Sequence, residues 1–180
     1  MSPDPANAVT ERFEALYDAE FDYVLTTLRR MGVQPKDVPD VAQEVFVRAY
    51  HLMPHFDAAR PVRPWLFTIC NFASSEYRRN PHARQATLEA TAEEGAEGNS
   101  PQWVDPNPTP DAQTEASTNR AKVMQALEAL KPDQRQVFIL YELEQRPMAA
   151  IAEQLSVPLH TAYSRLKAAR RAFETAIRQL

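Results

Sequence analysis

Apolar side chains recur at three- and four-residue steps in several separate segments of this sequence, and that spacing constrains the fold more than any other feature. Such steps place apolar groups on one face of an α-helix, whereas a half-buried strand alternates every second residue. The first segment spans about Thr10 to Arg30, and Gly32 stands where a helix C-terminus is commonly closed. Its apolar face comprises Phe13, Leu16, Tyr17, Phe21, Val24, Leu25 and Leu28. The chain has only 3 glycines, fewer than a sheet protein usually uses in its turns, so we expect an all-α fold.

Two further helices are predicted before residue 80. One begins near Asp37, with Pro39 tolerated in its first turn because first-turn amides have no intrahelical partner, and Pro54 ends it. The next has Pro64 at its first position and closes before Pro81. The predicted buried faces are Val38, Val41, Val45, Ala49 and Leu52 in the second helix, and Trp65, Leu66, Ile69, Phe72 and Ala73 in the third.

Residues 81–118 have a different composition from the segments on either side. They hold five of the 15 prolines and two of the 3 glycines, with one basic and seven acidic side chains. With so few large apolar groups, the segment cannot bury enough apolar surface to offset the conformational entropy that ordering it would lose. The predicted organisation is therefore two small helical domains, residues 1–80 and 119–180, joined by a flexible, acidic, proline-rich linker over 81–118.

The second predicted domain contains a helix-turn-helix pattern. A short helix opens at Pro147, Ser156-Val157-Pro158 form a tight turn, and a longer helix runs from about Leu159 to Arg178. In such units the second helix lies in the major groove of DNA. The residues available for base edges and phosphates are Thr161, Ser164, Arg165, Lys167, Arg170 and Arg171. The alternative is an ordinary helical hairpin with a solvated basic face.

Charge is spread unevenly along the chain. Residues 119–180 carry 10 basic and 6 acidic side chains, whereas the whole chain has a net charge of −4. A protein that holds DNA unaided usually carries a strong positive excess, because phosphate neutralisation supplies most of the affinity. We therefore expect DNA contact through the second domain to need a helper.

Two segments of the first domain also suggest binding. The third helix interleaves arginines with aromatic residues, which suits a separated DNA strand, because bases stack on rings while phosphates meet guanidinium groups. The second helix has a polar face within Asp40–Phe46. The alternative is that the aromatic residues belong to the core and that the polar face is only solvated.

Catalytic and membrane functions have no support in the sequence. There is no glycine-rich phosphate loop, no metal-ligand spacing and no nucleophile beside a base, so we predict no enzymatic activity, no cofactor and no metal. The one cysteine, Cys70, is predicted to be a buried apolar residue. The N-terminus lacks an apolar signal segment, and no stretch approaches the roughly 20 apolar residues of a membrane span. We expect a cytoplasmic protein that does not insert into a membrane.

Taken in order, three segments resemble the extracytoplasmic-function (ECF) class of sigma factors in the bacterial sigma-70 family. DVPDVAQEVFVRAY is similar to the second conserved region, PWLFTICNFASSEYRR to its continuation, and ALEALKPDQRQVFILYELEQRPMAAIAEQLSVPLHTAYSRLKAARRAF to the fourth conserved region. The resemblance covers roughly residues 10–80 and 119–178. This chain departs from the usual pattern at Phe72, where the family has Asn, and at Ala168, where Arg is frequent.

The resemblance implies a function and the residues that carry it. A sigma factor joins core RNA polymerase, through the beta-prime clamp and the beta flap, and brings it to promoter DNA. The helix that meets the clamp carries Asp40, Gln43, Glu44 and Phe46. The segment that melts and reads the minus-ten element carries Arg60, Arg63, Trp65, Ser75, Glu76, Tyr77, Arg78 and Arg79. The helix that reads the minus-thirty-five element carries Thr161, Ser164, Arg165, Lys167, Arg170 and Arg171. An anti-sigma factor is a further expected partner.

Two other functions remain open at this point. A helix-turn-helix regulator could bind DNA unaided. This hypothesis gives the DVAQEVF and WLFTIC segments no function, and it predicts a more basic chain. A sigma-like decoy could bind only an anti-sigma protein, although it would predict loss of the basic groups on the last helix.

Overall fold

The computed structural model describes residues 5–79 and 110–180, with side chains placed over 9–79 and 118–180. Helices and turns account for both ranges, and no strand occurs within them, which confirms the all-α fold. The N-terminal half, residues 5–79, contains α1 (Pro5–Arg30), α2 (Val38–Leu52), a 3₁₀ turn (Met53–His55) and α3 (Val62–Arg79). The C-terminal half, residues 110–180, contains α4 (Pro110–Glu128), α5 (Pro132–Phe138), a π-helical turn (Ile139–Leu143), α6 (Met148–Gln154) and α7 (Leu159–Gln179).

Gly32 closes α1, as the sequence predicts. Its backbone φ is +88°, a left-handed conformation that glycine adopts without steric cost. The Gly32 amide donates to the Arg29 carbonyl at 3.0 Å, and the Val33 amide donates to the Leu28 carbonyl at 3.1 Å. This pair of hydrogen bonds is a Schellman motif, which satisfies the last carbonyls of α1 and turns the chain toward α2.

Aromatic rings hold α1 against α2. Phe46 of α2 is only 4% exposed. Its ring centroid lies 4.6 Å from that of Tyr17, 6.0 Å from that of Phe21 and 6.4 Å from that of Phe13. Each such pair adds about 0.5–1.5 kcal/mol beyond the area that it buries. The aromatic spacing of α1 therefore fixes the position of α2.

Three of the predicted core residues are less buried than expected. Phe72 is 56% exposed and Leu52 is 45% exposed, so both predictions were wrong, while Tyr17 is 38% exposed. The guanidinium carbon of Arg48 lies 4.7 Å from the Phe72 ring centroid. Apolar spacing cannot distinguish an aromatic ring that a guanidinium covers from one that the core covers, which explains the error at Phe72.

The first helix of the C-terminal half is longer than predicted. The predicted linker extends to residue 118, but α4 begins at Pro110. Proline fits the first position of a helix because its missing amide hydrogen would have no partner there. The residues after it, DAQTEAS, include several good helix formers. The prediction gave too much weight to proline as a linker residue; the remainder of 81–118, up to residue 109, lies outside the described residues.

The helix-turn-helix is present where the sequence predicts it. Ser156 follows α6 with a φ of +53°. Its amide donates to the Glu153 carbonyl, and the Val157 amide donates to the Ala152 carbonyl, each at 3.0 Å. This is a second Schellman motif, here with a serine at the left-handed position. The chain then enters α7 after Pro158.

The two halves are in direct contact, which the sequence did not indicate. One cluster of buried apolar residues runs through both, from Leu28 and Val33 in the N-terminal half to Leu127, Val137 and Ile139 in the C-terminal half. None of the helices within the described ranges combines the length and the apolar character that crossing a bilayer requires.

Candidate functional site

The outward face of α7 carries three of the residues that were predicted to read DNA. Ala162, Leu166 and Ala169 are buried against the rest of the C-terminal half. Ser164, Lys167 and Arg171 are exposed on the opposite side, and Arg170 is exposed at the edge of that face. A second helix of a helix-turn-helix that presents a hydroxyl, an ammonium and a guanidinium group outward is suited to base edges and phosphates.

The other three residues of that set make contacts within the C-terminal half. The Arg165 guanidinium lies 3.3 Å from the Asp133 carboxylate. Arg170 is paired with Glu142 at 2.6 Å and also lies over the Tyr141 ring. Thr161 is half-buried, and its hydroxyl lies 3.3 Å from the His160 ring nitrogen. Exposed and half-exposed ion pairs are weak. Breaking the ion pair with Asp133, so that Arg165 turns outward to DNA, would therefore require little free energy.

Two exposed residues on the same face were missed by the sequence analysis. Tyr163 is 53% exposed, and His160 is also exposed. Both lie three or four residues from Ser164 or Lys167 along α7, so they share the outward face. The helical spacing could have identified them, but a lone histidine and a tyrosine were given less weight than charged side chains.

The residues predicted to read the minus-ten element fall at the two ends of α3. Arg60, Arg63 and Trp65 lie at or just before its start, and Ser75–Arg79 lie at its end. Fourteen residues separate Arg63 from Tyr77, so the two groups are about 21 Å apart along the helix. The structure therefore separates this set into two groups, which one DNA strand could reach only by running along α3.

The first group borders a groove between the halves. Trp65 packs on Phe56 with the ring centroids 4.5 Å apart. Arg63 pairs with Glu20 at 2.9 Å, and Arg60 lies 3.7 Å from Asp57 on the surface. The groove has a volume of about 820 Å³ and is lined by Leu52, His55, Phe56, Asp57, Arg60, Pro61, Pro64, Trp65, Thr68, Arg146, Ala150, Glu153 and Gln154.

The second group is largely bonded to the N-terminal half itself. The Tyr77 hydroxyl donates to the buried Asp37 carboxylate at 2.5 Å, and Arg78 donates to the Met31 carbonyl at 2.9 Å. Burial lowers the pKa of Arg78. These two side chains fix α3 to the turn between α1 and α2, while Arg79 stands exposed at the end of the helix.

Ser75 and Glu76, the rest of that group, also have partners on neighbouring turns or helices. The Ser75 hydroxyl donates to the Asn71 carbonyl at 2.7 Å. Glu76 forms an ion pair with Arg48 of α2. Arg48 thus contacts both Glu76 and the exposed Phe72 ring, and the three side chains form one patch on the outside of α2 and α3.

The predicted polymerase-binding residues share one helix but not one environment. Asp40, Gln43 and Glu44 are exposed on α2, whereas Phe46 lies inside the aromatic contact with α1. Phe46 can therefore position α2 but is not presented at the surface in this structure. Val47 is 50% exposed beside these polar residues.

The cysteine and the acidic residues do not form a reactive centre in the described part of the chain. Cys70 is fully buried, and that burial raises its pKa to about 12, so the thiol is neutral. Within residues 9–79 and 118–180, no three histidine, cysteine, aspartate or glutamate side chains are grouped to hold a metal ion.

Comparison with protein families matches both halves separately. The family described as sigma-70 region 2 matches residues 16–84, and the family described as sigma-70, region 4 matches residues 120–173. The first match contains α2 and α3, and the second contains α6 and α7 up to residue 173. The segments that the two families cover are therefore the ones that present the exposed polar faces.

Several similar proteins are named as sigma factors. RNA polymerase sigma factor NccH of Alcaligenes xylosoxydans xylosoxydans is 33% identical over 62% of this chain and 58% of its own length. The ECF RNA polymerase sigma-E factor of Haemophilus influenzae is 30% identical over 82% of this chain and 78% of its own length. Among solved structures, sigma factor RpoE of Bartonella quintana, in complex with the anti-sigma factor NepR, has a similar fold. Its TM-score is 0.63 at 17% identity, over 93% of this chain and 98% of that one. The chain therefore belongs to the sigma-70 family and is a sigma factor of the ECF class, a DNA-binding protein of transcription initiation.

Proposed function

We propose that this sigma factor binds core RNA polymerase through α2, reads the minus-ten element along α3 and reads the minus-thirty-five element with α7. The corresponding domains are residues 1–80 and 119–180, joined by 81–118, part of which forms the start of α4. The observation that carries the proposal is the outward face of α7, where Ser164, Lys167 and Arg171 lie opposite the buried alanines and leucine. Promoter DNA and core polymerase share the bacterial cytoplasm, which is where the protein would act.

The decisive experiment is promoter-directed transcription in vitro with purified core polymerase, with and without the full-length protein. Specific starts that depend on the protein, mapped to both promoter elements, are the expected result. Direct DNA binding without polymerase binding would instead identify a stand-alone regulator. Tight binding to an anti-sigma protein without any starts would identify a decoy.

The reading of the minus-thirty-five element is tested at Arg165. We expect Arg165→Ala to weaken promoter binding of the holoenzyme by roughly 1–3 kcal/mol if the guanidinium reads a base. Arg178→Ala is the matched control, because Arg178 is exposed on the same helix but lies beyond the face described above. Equal losses on every DNA sequence would make Arg165 a phosphate contact rather than a base contact.

The polymerase contact is tested on α2. Asp40 and Gln43 are exposed, so removing their side chains should leave the fold intact while weakening the affinity for core polymerase. The double variant Asp40→Ala with Gln43→Ala is compared with Asp22→Ala, an exposed acidic residue on α1. Unchanged affinity of the double variant for core polymerase would remove α2 as the contact.

An anti-sigma factor is the third proposed partner. The similar RpoE of Bartonella quintana was solved with the anti-sigma factor NepR. For this chain, the exposed polar face of α2 and the groove beside Trp65 are the surfaces that such a partner would have to cover to block polymerase and DNA. Loss of starts when the partner is added, with recovery at excess core polymerase, would support this assignment.

A further inference from the structure

Phe72 presents an aromatic ring to solvent near the middle of α3, where the residue is 56% exposed. One face of the ring is occupied, because the Arg48 guanidinium carbon lies 4.7 Å from the ring centroid. Glu76 forms an ion pair with the same guanidinium and so holds it in position. The ring is therefore supported on one face by a fixed cation, while more than half of the residue stays open to a ligand.

The ring lies on one line with the two separated groups that were predicted to read the minus-ten element. Phe72 is seven residues after Trp65 and seven residues before Arg79. Seven residues make two helical turns, which return a side chain to within about 20° of its starting direction and advance it by about 10.5 Å. Past its first turn, α3 exposes Thr68, Phe72 and Arg79. Phe72 thus lies halfway along the roughly 21 Å that separate the two groups.

The charges along this line suit the phosphates of a nucleic acid strand. Arg60, just before α3, and Arg79, at its end, are both exposed. Arg60 lies 3.7 Å from Asp57 in an exposed ion pair, which a phosphate can displace at little cost. The one carboxylate of the patch, Glu76, is already paired with Arg48.

The outer side of α1 has the opposite charge. Its exposed acidic side chains are Glu11, Glu14, Asp18 and Asp22. A phosphate backbone is repelled by such a surface and attracted by the exposed arginines at the ends of α3. The charge distribution of the N-terminal half therefore directs a strand along α3 and past the Phe72 ring.

A phenylalanine ring on a basic path can bind a base but cannot identify it. Bases of a separated strand stack on aromatic side chains while the phosphates meet cations, and every base has a flat face to offer. Discrimination between bases needs hydrogen-bond donors and acceptors directed at their edges, and a phenylalanine has none. In a duplex the neighbouring bases cover each flat face, so the ring is suited to an unpaired base.

We propose that the Phe72 ring, held by Arg48 and Glu76, is a stacking site for one unpaired base of the separated minus-ten strand. The site holds that base without identifying it. The proposal rests on the assignment of minus-ten reading to α3, and it adds a ligand and a position to that assignment. The minus-ten element should accordingly contain one position at which a base is required but any base serves, between positions that are read.

The first test scans the separated strand for that base. Holoenzyme assembled from core polymerase and the full-length protein is mixed with single-stranded oligonucleotides of a minus-ten sequence mapped in the transcription assay. Each oligonucleotide carries an abasic site at one position. Removal of the stacked base should weaken binding by about 5- to 150-fold, whereas its exchange for any other base should leave the affinity nearly unchanged. If no position shows this combination, the stacking site is refuted.

The second test links that position to the ring. Phe72→Ala should lose about 5- to 150-fold in affinity on the intact oligonucleotide and little more on the abasic one, because both changes remove the same contact. Phe72→Tyr keeps the ring and is the matched control, so it should bind as the wild type does. Phe72 lies outside the core, and circular dichroism checks that both variants fold. Losses that simply add, or no loss in Phe72→Ala, would overturn the proposal.

Stacking itself is observed with 2-aminopurine at the same position. Its fluorescence should be quenched on binding to the wild type and to Phe72→Tyr, and should stay unquenched with Phe72→Ala. Quenching that persists in Phe72→Ala would place the base elsewhere. Lower affinity of Phe72→Ala for core polymerase itself, with DNA binding otherwise intact, would make the ring a protein contact and would equally overturn the stacking site.

Failure of the stacking site can be distinguished from failure of the proposed function. If Phe72→Ala holoenzyme binds the oligonucleotides and directs specific starts as well as the wild type does, the stacking site is wrong and the assignment of α3 stands. If the wild-type holoenzyme binds none of the single-stranded oligonucleotides, both are wrong.

Discussion

Gly32→Ala is the substitution that tests the fit between the two halves most directly. The added Cβ would lie 2.2 Å from Arg135 Nη1, so the guanidinium must leave its place and lose its bond to the Met31 carbonyl. A hydrogen bond from a charged group contributes about 1.5–3 kcal/mol. The φ of +88° costs an alanine a further 1–2 kcal/mol, of which the lower entropy of the unfolded chain returns about half. The expected loss in the free energy of unfolding is therefore about 2–4 kcal/mol.

Urea denaturation followed by circular dichroism measures this loss, which corresponds to a fall of the midpoint by about 1–2 M. Arg135→Met separates the two causes, because a flexible apolar side chain neither clashes with the new Cβ nor donates a hydrogen bond. In the Arg135→Met background, Gly32→Ala should cost only the backbone strain, about 1 kcal/mol. The double-mutant cycle should thus give a coupling of about 1.5–3 kcal/mol. If Gly32→Ala costs the same in both backgrounds, the guanidinium does not occupy the space beside Gly32 in solution.

Three further predictions concern single sites. Ser156→Gly relieves the left-handed strain in the helix-turn-helix and should stabilise the protein by about 0.5–1 kcal/mol in urea denaturation; a loss of stability would contradict the φ of +53°. Because burial raises the pKa of Cys70 to about 12, iodoacetamide should alkylate the thiol at pH 8 only after unfolding, and rapid native labelling would show that α3 opens. Burial raises the pKa of Glu144 above its usual 4.5. This effect exceeds the opposing effects of the Tyr23 hydrogen bond and of the nearby charges of Arg146, Arg30 and Arg63, which lower the pKa. Between pH 4.5 and this raised pKa, the folded protein holds a proton that the unfolded chain has released, so the contribution of Glu144 to stability should fall as pH rises through that window, and Glu144→Gln should remove this contribution.

The helices and the helix-turn-helix could be predicted because local signals specify them. Apolar spacing, Gly32 and the prolines at helix starts act within one or two turns of the chain, and the structure places these elements within a few residues of the prediction. α4 was the exception, since Pro110 is compatible both with a linker and with the first position of a helix.

The contact between the halves could not be predicted, because no local signal encodes it. Arg135 lies in a short helix that reads as amphipathic, and its partner is the carbonyl of Met31, more than 100 residues earlier. The candidate sites were predictable only in part for the same reason. Helical spacing is enough to expect the exposure of Ser164 and Lys167, but the pairing of Arg165 with Asp133 and the burial of Phe46 depend on tertiary packing.

Phe72 shows how a departure from the family pattern is explained by packing. The position is 56% exposed, so an asparagine there meets water without cost. In this chain the phenylalanine ring is covered by Arg48, which also pairs with Glu76. The substitution therefore exchanges a solvated amide for a small aromatic and ionic patch and leaves the core of α3 unchanged.

Two of the hydrogen bonds between the halves end on main-chain oxygens rather than on side chains. The Arg135 guanidinium donates to the carbonyl of Met31, and the Gln154 amide donates to the carbonyl of Pro64. A carbonyl oxygen is present whatever residue occupies the position, so substitutions at 31 and 64 that keep the backbone in place preserve both acceptors. Substitutions in the N-terminal half should therefore rarely remove these two hydrogen bonds, whereas a single change at Arg135 or Gln154 removes a donor. Variation that alters the contact between the halves should accordingly be concentrated in the C-terminal half.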